Sequence, residues 1–177
     1  MDLLVSNAGF GLFGTFVESN WERVNQMLQV DMVALSHLAQ LFTPGMIERR
    51  WGRILFIAST TAFQPLPTYA SYGAAKSYVL SFGVALNHEL RGTGVSCTVA
   101  CPGVTATEFF QVAGQRQTIY QRITIMSSAK VANIALKALL AQRPLIIIGR
   151  LNAFMAWSTR LMPRTWAAAL AYQLIKN

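Results

Sequence analysis

Short, nearly unbroken apolar runs alternate along this chain with segments of helical periodicity, and that alternation most limits what it can fold into. The runs are DLLVSNA at 2–8, RILFIAS at 53–59, VSCTVACPG at 95–103 and PLIIIG at 144–149. A strand that is apolar on both sides has to be covered on both faces, which is the condition of a parallel sheet between layers of helices. The intervening segments 19–42, 69–92 and 128–142 read as those helices. The first is expected to open on a capping box, Ser19 with Glu22, and to be ended or kinked by Pro44. Its buried stripe is expected at Val24, Leu28, Asp31, Leu35, Leu38 and Phe42, with one carboxylate inside it. The second helix closes at Gly92, just after Arg91.

With 177 residues, 53% of them apolar and 12% charged, the chain suits one domain with a large core. No run approaches the ~20 apolar residues of a membrane span. The acidic start, MDLLVS, lacks the basic opening of a signal peptide. Cys97 and Cys101 stand four apart on a strand and share a face; two cysteines at that spacing are no zinc signature and read as buried thiols. Without a disulfide framework, the expected location is the cytoplasm. His37 and His88 read as surface or internally satisfied helix residues, and no metal site is expected.

The stretch NAGFGLFG, 7–14, spells G-x-G-x-x-G with Gly9, Gly11 and Gly14, directly after the first strand. A dinucleotide-binding turn needs its last glycine at the start of a helix, so that helix N–H groups face the pyrophosphate. Here the helix begins five residues past Gly14, and the next strand waits until about residue 53. Asp31, at the offset of a ribose-binding acid, falls in mid-helix. The spelling without its context is weak evidence and reads as a decoy.

Other signals occur in order: SNAG at 6–9, Ser59 ending the second strand, YGAAK at 72–76 opening a helix, and Pro102-Gly103 closing the next strand. Together they resemble the short-chain dehydrogenase/reductase family over residues 1 to about 148, with Ser6 in place of the first Asn of the family's N-N-A-G element. The resemblance implies an α/β fold: the C-terminal part of a doubly wound Rossmann-type parallel sheet, about four strands, with C-terminal amphipathic helices. It divides the chain into a partial domain at 1–148 and a helical extension at 149–177. It also implies that the family's first three βα units, with their glycine-rich phosphate turn, are lacking here, which leaves DLLVS as an apolar edge strand.

Tyr72 and Lys76, four apart on a helix, share a face. A free phenol has a pKa of ~10, and a nearby ammonium favours the phenolate. Ser59 stands at the carboxyl end of its strand, where its hydroxyl can reach a carbonyl oxygen. By resemblance the catalytic positions are Ser59, Tyr72, Lys76 and Asp31. Tyr72 would move the proton, Lys76 would tune Tyr72 and hold the nicotinamide ribose, and Ser59 would orient the substrate oxygen. Asp31 stands where the family usually has Asn, whose backbone carbonyl belongs to a proton relay. A buried carboxylate is costly unless paired, and two readings stand. Asp31 pairs with Lys76 and weakens its effect on Tyr72, or it is tolerated because the relay uses backbone alone.

The resemblance places NAD(P)(H), with NADP versus NAD left open, against Asn7, Ala8, Gly9, Tyr72, Lys76, Pro102, Gly103, Val104, Thr105 and Thr107. The implied activity is hydride transfer between that cofactor and a carbonyl or alcohol group. Residues 104–127 correspond to the family's substrate lid, and Phe109, Phe110 and Met126 there point to an apolar substrate. For lack of the phosphate turn this chain alone is expected to be inactive. The alternative is a non-catalytic fragment or pseudoenzyme serving as an interaction or membrane-surface module.

Charge is unevenly placed. Residues 1–108 hold six Lys/Arg against seven Asp/Glu, whereas 109–177 hold nine Lys/Arg and no acid. Segment 151–162 is expected to set Leu151, Phe154, Met155, Ser158 and Leu161 on one face. Arg150, Arg160, Arg164, Lys176, Trp157 and Trp166 surround it and the second segment, 165–176. Basic, aromatic, amphipathic helices without acids suit an anionic membrane surface, met peripherally through 150–176. The competing reading packs these helices on the domain or on a second copy of the chain. Nucleic acid is not an expected partner, because no recognition motif accompanies the charge.

Overall fold

The computed structural model describes residues 1–116, 118, 121 and 124–176; residues 117, 119, 120, 122 and 123 of the expected lid, and 177, lie outside the described residues. Strands β1 (Leu3–Ser6), β2 (Gly52–Ile57), β3 (Val95–Pro102) and β6 (Leu145–Ile148) form one parallel sheet in the order β1-β2-β3-β6. A short pair, β4 (Thr105–Ala106) and β5 (Met126–Ser127), lies beside it. The helices are α1 (Trp21–Leu28), α2 (Leu35–Glu48), α3 (Ala70–Glu89), α4 (Phe109–Ala113), α5 (Ser128–Leu140), α6 (Arg150–Ser158) and α7 (Arg164–Ile175). This is the expected α/β architecture.

Alternate residues of the strands feed two different cores. Ile54, Phe56, Cys97, Val99 and Cys101 pack with Leu35, Ala39 and Met46 of α2 and Val79 of α3. Leu55, Ala100 and Ile148 pack on the other side with Val131, Ala135 and Leu139 of α5. Covering on both faces holds for β2 and β3 but not for β1, and this corrects the sequence expectation. Leu4 is buried, yet Leu3 and Val5 are 46% and 48% exposed.

The first helical segment differs from expectation in three ways. Its cap is Asn20, whose side-chain oxygen accepts from the Arg23 N–H, because a 3-10 turn at Phe16–Glu18 turns the Ser19 hydroxyl back to the Thr15 carbonyl. Pro44 sits inside α2, which runs on to Glu48; the Thr43 hydroxyl donates to the Ala39 carbonyl beside that gap in the ladder. Residues Gln29–Ala34 form a π-helical stretch. The buried positions are accordingly Val24, Met27, Asp31, Leu35, Ala39, Thr43 and Met46, while Leu38 is exposed. Steps of four drift around an α-helix by about 40° each, and a wider π turn takes that drift back. Met27, Asp31 and Leu35 thereby stay on one side.

Two glycines near the start of β3 test the backbone argument. Gly94 has φ +88°, and a Cβ there would collide with the Arg50 carbonyl oxygen, whereas Gly92 has φ +79° and open space around it. Gly94→Ala is expected to destabilise the chain by roughly 2 kcal/mol or more and Gly92→Ala by about 1 kcal/mol. Urea midpoints at unchanged m-value check this; equal shifts for the two variants would contradict it.

Candidate active site

Parallel pairing brings four strand ends to one edge, so Asn7, Ser59, Gly103 and Gly149 follow one another across it. Ligand crevices of open α/β sheets form at that edge. Here it borders a cavity of about 920 Å³ lined by Ser59, Tyr72 and Lys76. Ser59 caps the 3-10 turn Thr60–Phe63, and its oxygen accepts from the Thr61 N–H at 3.2 Å. Tyr72 lies in the first turn of α3, with its ring 5.2 Å from that of Phe109 and 5.8 Å from that of Tyr69. Lys76 is one turn further, its ammonium 5.6 Å from the Tyr72 ring centroid.

Asp31 is brought to the same place from behind. The π-helical stretch turns its carboxylate inward, where it is 1% exposed. Its Oδ2 stands 3.1 Å from Lys76 Nζ, and its Oδ1 accepts from the Phe10 N–H at 3.2 Å. The Lys76 ammonium also donates to the Ile57 carbonyl at 3.2 Å. Of the two readings of Asp31, the structure has the paired one. Gly9 is held against this pair: a Cβ there would stand 2.5 Å from Asp31 Oδ1 and 3.1 Å from Lys76 Nζ.

The electrostatics depart from the expected pattern. The Lys76 ammonium is turned to Asp31 and Ile57. Burial pushes the Tyr72 phenol up, the Asp31 charge pushes it further, and a hydrogen bond with the Ser59 side chain opposes both in part. Burial raises the Asp31 carboxyl above its ordinary value, with the Lys76 charge pulling it back. Burial also pushes the Cys97 and Cys101 thiols up to about 12, which leaves them inert.

Of the residues expected against the cofactor, Asn7, Gly9, Pro102, Gly103, Val104, Thr105 and Thr107 line the cavity, whereas Ala8 is exposed and is not among the lining residues. The glycine spelling at 9–14 is indeed no phosphate turn. It ends seven residues before α1, Gly14 N–H donates to the Thr68 carbonyl, and a Cβ at Gly11 would meet the Phe109 and Tyr69 rings. Three contributions escaped the sequence reading. Asn152 donates to the Ile148 carbonyl at 2.7 Å and closes against Gly103 and Gly149. The Tyr69 hydroxyl donates to Gln115, whose amide donates to the Ile175 carbonyl of α7. Through Ala171, Leu174 and Ile175, α7 then forms part of the cavity wall. No residue spacing announces these; a lone Asn on the small-residue side of α6 is the nearest thing to a signal.

The buried pair makes a signed prediction. Lys76→Met leaves Asp31 alone in the interior and is expected to cost ~3–5 kcal/mol at pH 7. The folded carboxyl then holds its proton to higher pH than the unfolded one, so stability falls as pH rises through that window. The penalty should therefore shrink at pH 5, and adding Asp31→Asn should recover most of it at pH 7. Urea denaturation at both pH values checks this; a penalty independent of pH would contradict it.

Comparison with known proteins agrees with this geometry. A family model described as short chain dehydrogenase matches residues 1–118. The ketoacyl reductase HetN of Nostoc sp. is 30% identical over 162 residues, 92% of this chain and 56% of that protein. An uncharacterised oxidoreductase of Myxococcus xanthus is 32% identical over 61% of this chain and 43% of its own length, so the chain spans about half the length of these curated relatives. A short-chain dehydrogenase from Sphingobium yanoikuyae, solved in complex with NADPH, superposes with TM-score 0.79 at 27% identity, over 92% of this chain and 65% of that one. The 3-ketoacyl-(acyl-carrier-protein) reductase from Brucella melitensis, solved with NADH, shares the fold at TM-score 0.74 and 21% identity, over 84% and 65%. The sheet order, the Ser59–Tyr72–Lys76 placement and the match over residues 1–118 lead to one conclusion: the chain belongs to the short-chain dehydrogenase family.

Proposed function

We propose that this chain carries the proton-transfer side of an oxidoreductase site that moves a hydride between a nicotinamide cofactor and a carbonyl or alcohol group of an apolar substrate. The supporting observation is the convergence of Ser59, Tyr72 and Lys76 on a cavity that aromatic and aliphatic groups also line, Phe10, Leu66, Phe109 and Leu174 among them. The residues fit the nicotinamide end of such a cofactor. A cation, Lys76, and the polar side chains of Asn7, Thr105 and Thr107 line the cavity together with Gly9 and Gly103. When bound, the cofactor supplies the hydride.

The chain's own groups do the rest. The Ser59 hydroxyl donates to the substrate oxygen and sets its position. The Tyr72 hydroxyl gives a proton to that oxygen in reduction and takes it back in oxidation. Lys76 holds the ribose and the charge near Tyr72, and Asp31 keeps Lys76 in place from the protein side. The phosphate end is a different matter, because the loop at 9–14 faces no helix start. We assign tight cofactor binding to a form of the protein that carries a glycine-rich turn, and read the 177-residue chain by itself as inactive. Cytoplasmic residence belongs to the same reading and is supported by the buried, unpaired thiols of Cys97 and Cys101. Among the described residues no helix is long and apolar enough to cross a membrane.

A second reading, a non-catalytic interaction module, is favoured by one observation: the Asp31 carboxylate stands 3.1 Å from the Lys76 ammonium, and its charge adds to burial in pushing the Tyr72 phenol up. Fluorescence titration of the chain with NADPH and NADH, set beside a form extended by a glycine-rich turn, separates the two. The oxidoreductase reading expects binding and turnover in the extended form. There Tyr72→Phe should lower kcat about 10²–10⁴-fold with cofactor affinity unchanged. Absent turnover in the extended form would favour the non-catalytic module, and turnover equal in Tyr72→Phe would overturn the role given to Tyr72.

A further inference from the structure

Helices α6 and α7 have two unlike faces. Asn152 and Ala156 on α6, and Ala167, Ala171 and Ile175 on α7, are buried. Ala171 and Ile175 pack with Met27, Leu66, Tyr69 and Tyr72. The opposite faces do not follow the rule that large apolar side chains go inside. Leu151, Phe154, Trp157 and Leu161 recur at steps of three and four along α6 and the turn after it, and Trp166 and Leu170 follow on α7. Each of the six is more than half exposed. Phe154 and Trp157 hold their rings 6.2 Å apart, so they form one aromatic surface. Of the stripe expected at 151–162, Leu151, Phe154 and Leu161 point outward and are joined by Trp157, whereas Met155 lines the cavity and Ser158 is half-buried.

Cations border this surface. Arg150, Arg160, Arg164 and Lys176 are all exposed, and none forms an ion pair among the described residues. No acidic residue follows Glu108 in the chain. Apolar area, interfacial tryptophans and an acid-free set of arginines each have a physical preference. Tryptophan and leucine leave water, arginine seeks phosphate, and the absence of carboxylates removes repulsion from an anionic surface.

We propose that the outer face of α6 and α7 lies on an anionic bilayer surface. Trp157, Phe154, Leu161 and Trp166 sit at the boundary of headgroups and acyl chains, and the arginines meet lipid phosphates. A second copy of the chain is a poorer occupant. Self-association through this face would bring arginines against arginines with no carboxylate to offset them. A soluble polyanion would use the cations and leave the tryptophans and leucines in water. The inner faces of the same two helices wall the cavity through Asn152, Ala156, Ala171 and Ile175, so the bound lipid surface and the cavity lie on opposite sides of one helix layer.

The test uses the full chain with Trp21→Phe and Trp51→Phe, two exposed positions away from the site, so that only Trp157 and Trp166 emit. It is mixed with vesicles of phosphatidylcholine alone, or of phosphatidylcholine with equimolar phosphatidylglycerol. Expected are co-sedimentation with the anionic vesicles, a blue shift of the emission, and loss of binding at about 0.5 M salt, where charges are screened within a few ångströms. Arg150→Gln with Arg160→Gln and Arg164→Gln should weaken partition about 100-fold, roughly fivefold for each cation. Phe154→Ser with Leu161→Ser should abolish the blue shift. All five positions are exposed, and circular dichroism verifies that the fold is kept. Three results would overturn the proposal: no partition into anionic vesicles, equal partition into the zwitterionic ones, or vesicle-independent dimers that Phe154→Ser with Leu161→Ser dissolves.

Discussion

One buried ion pair ties together the parts of this structure that concern chemistry. Asp31 comes from the π-helical stretch between α1 and α2, and Lys76 from α3. Asp31 also receives the Phe10 N–H from the loop after β1, and Lys76 donates to the Ile57 carbonyl at the end of β2. Two strand ends and two helices thus meet at a single pair of charges. Taking charges out of water is expensive and is offset only by close pairing with further hydrogen bonds. Each partner here has both. The Asp31 charge also falls on Tyr72 and adds to the effect of burial on the phenol. The group that positions the lysine therefore also adds to what burial does to the tyrosine.

The parallel register then decides what can stand around that pair. Strands running the same way place Asn7, Ser59, Gly103 and Gly149 at one edge, and side chains from α3, α4 and α7 close over it. The same register leaves β1 with one neighbour and one bare face, where Leu3 and Val5 meet solvent. An apolar edge strand of this kind is a site for further pairing. The cavity extends along that bare face past Val5, Leu55 and Val131, so the space beside the proton-transfer groups is continuous with the unpaired side of the sheet.

Much of this was legible from residue order because period and punctuation are local properties. The apolar runs located all four sheet strands to within a few residues, and Gly92 after Arg91 closed α3. The failures are equally physical. A π-helical stretch and an α-helix share the same residue preferences, so Val24, Leu28 and Leu38 looked like one stripe until backbone geometry put Met27 and Ala39 in place of Leu28 and Leu38. Ser19 and Asn20 are both good caps, and the 3-10 turn before them chose Asn20. Tyr72 and Lys76 were readable from their spacing. The direction of the Lys76 ammonium stayed open between two readings, because it depends on a carboxylate more than forty residues earlier. The α7 wall carries no motif: Ala171 and Ile175 are ordinary helix residues that contribute through where Gln115 holds the helix end.

The most direct measurement exploits the fact that the chain has only two aspartates, Asp2 and Asp31. Carboxyl-carbon NMR of aspartate-labelled chain follows the two groups separately through a pH titration. With Lys76 paired to Asp31, Lys76→Met should move the Asp31 titration to still higher pH, because the lysine charge and hydrogen bond no longer oppose burial. An Asp31 titration unmoved by Lys76→Met would mean that the two charges do not interact, and the account of the site built on their pairing would be wrong.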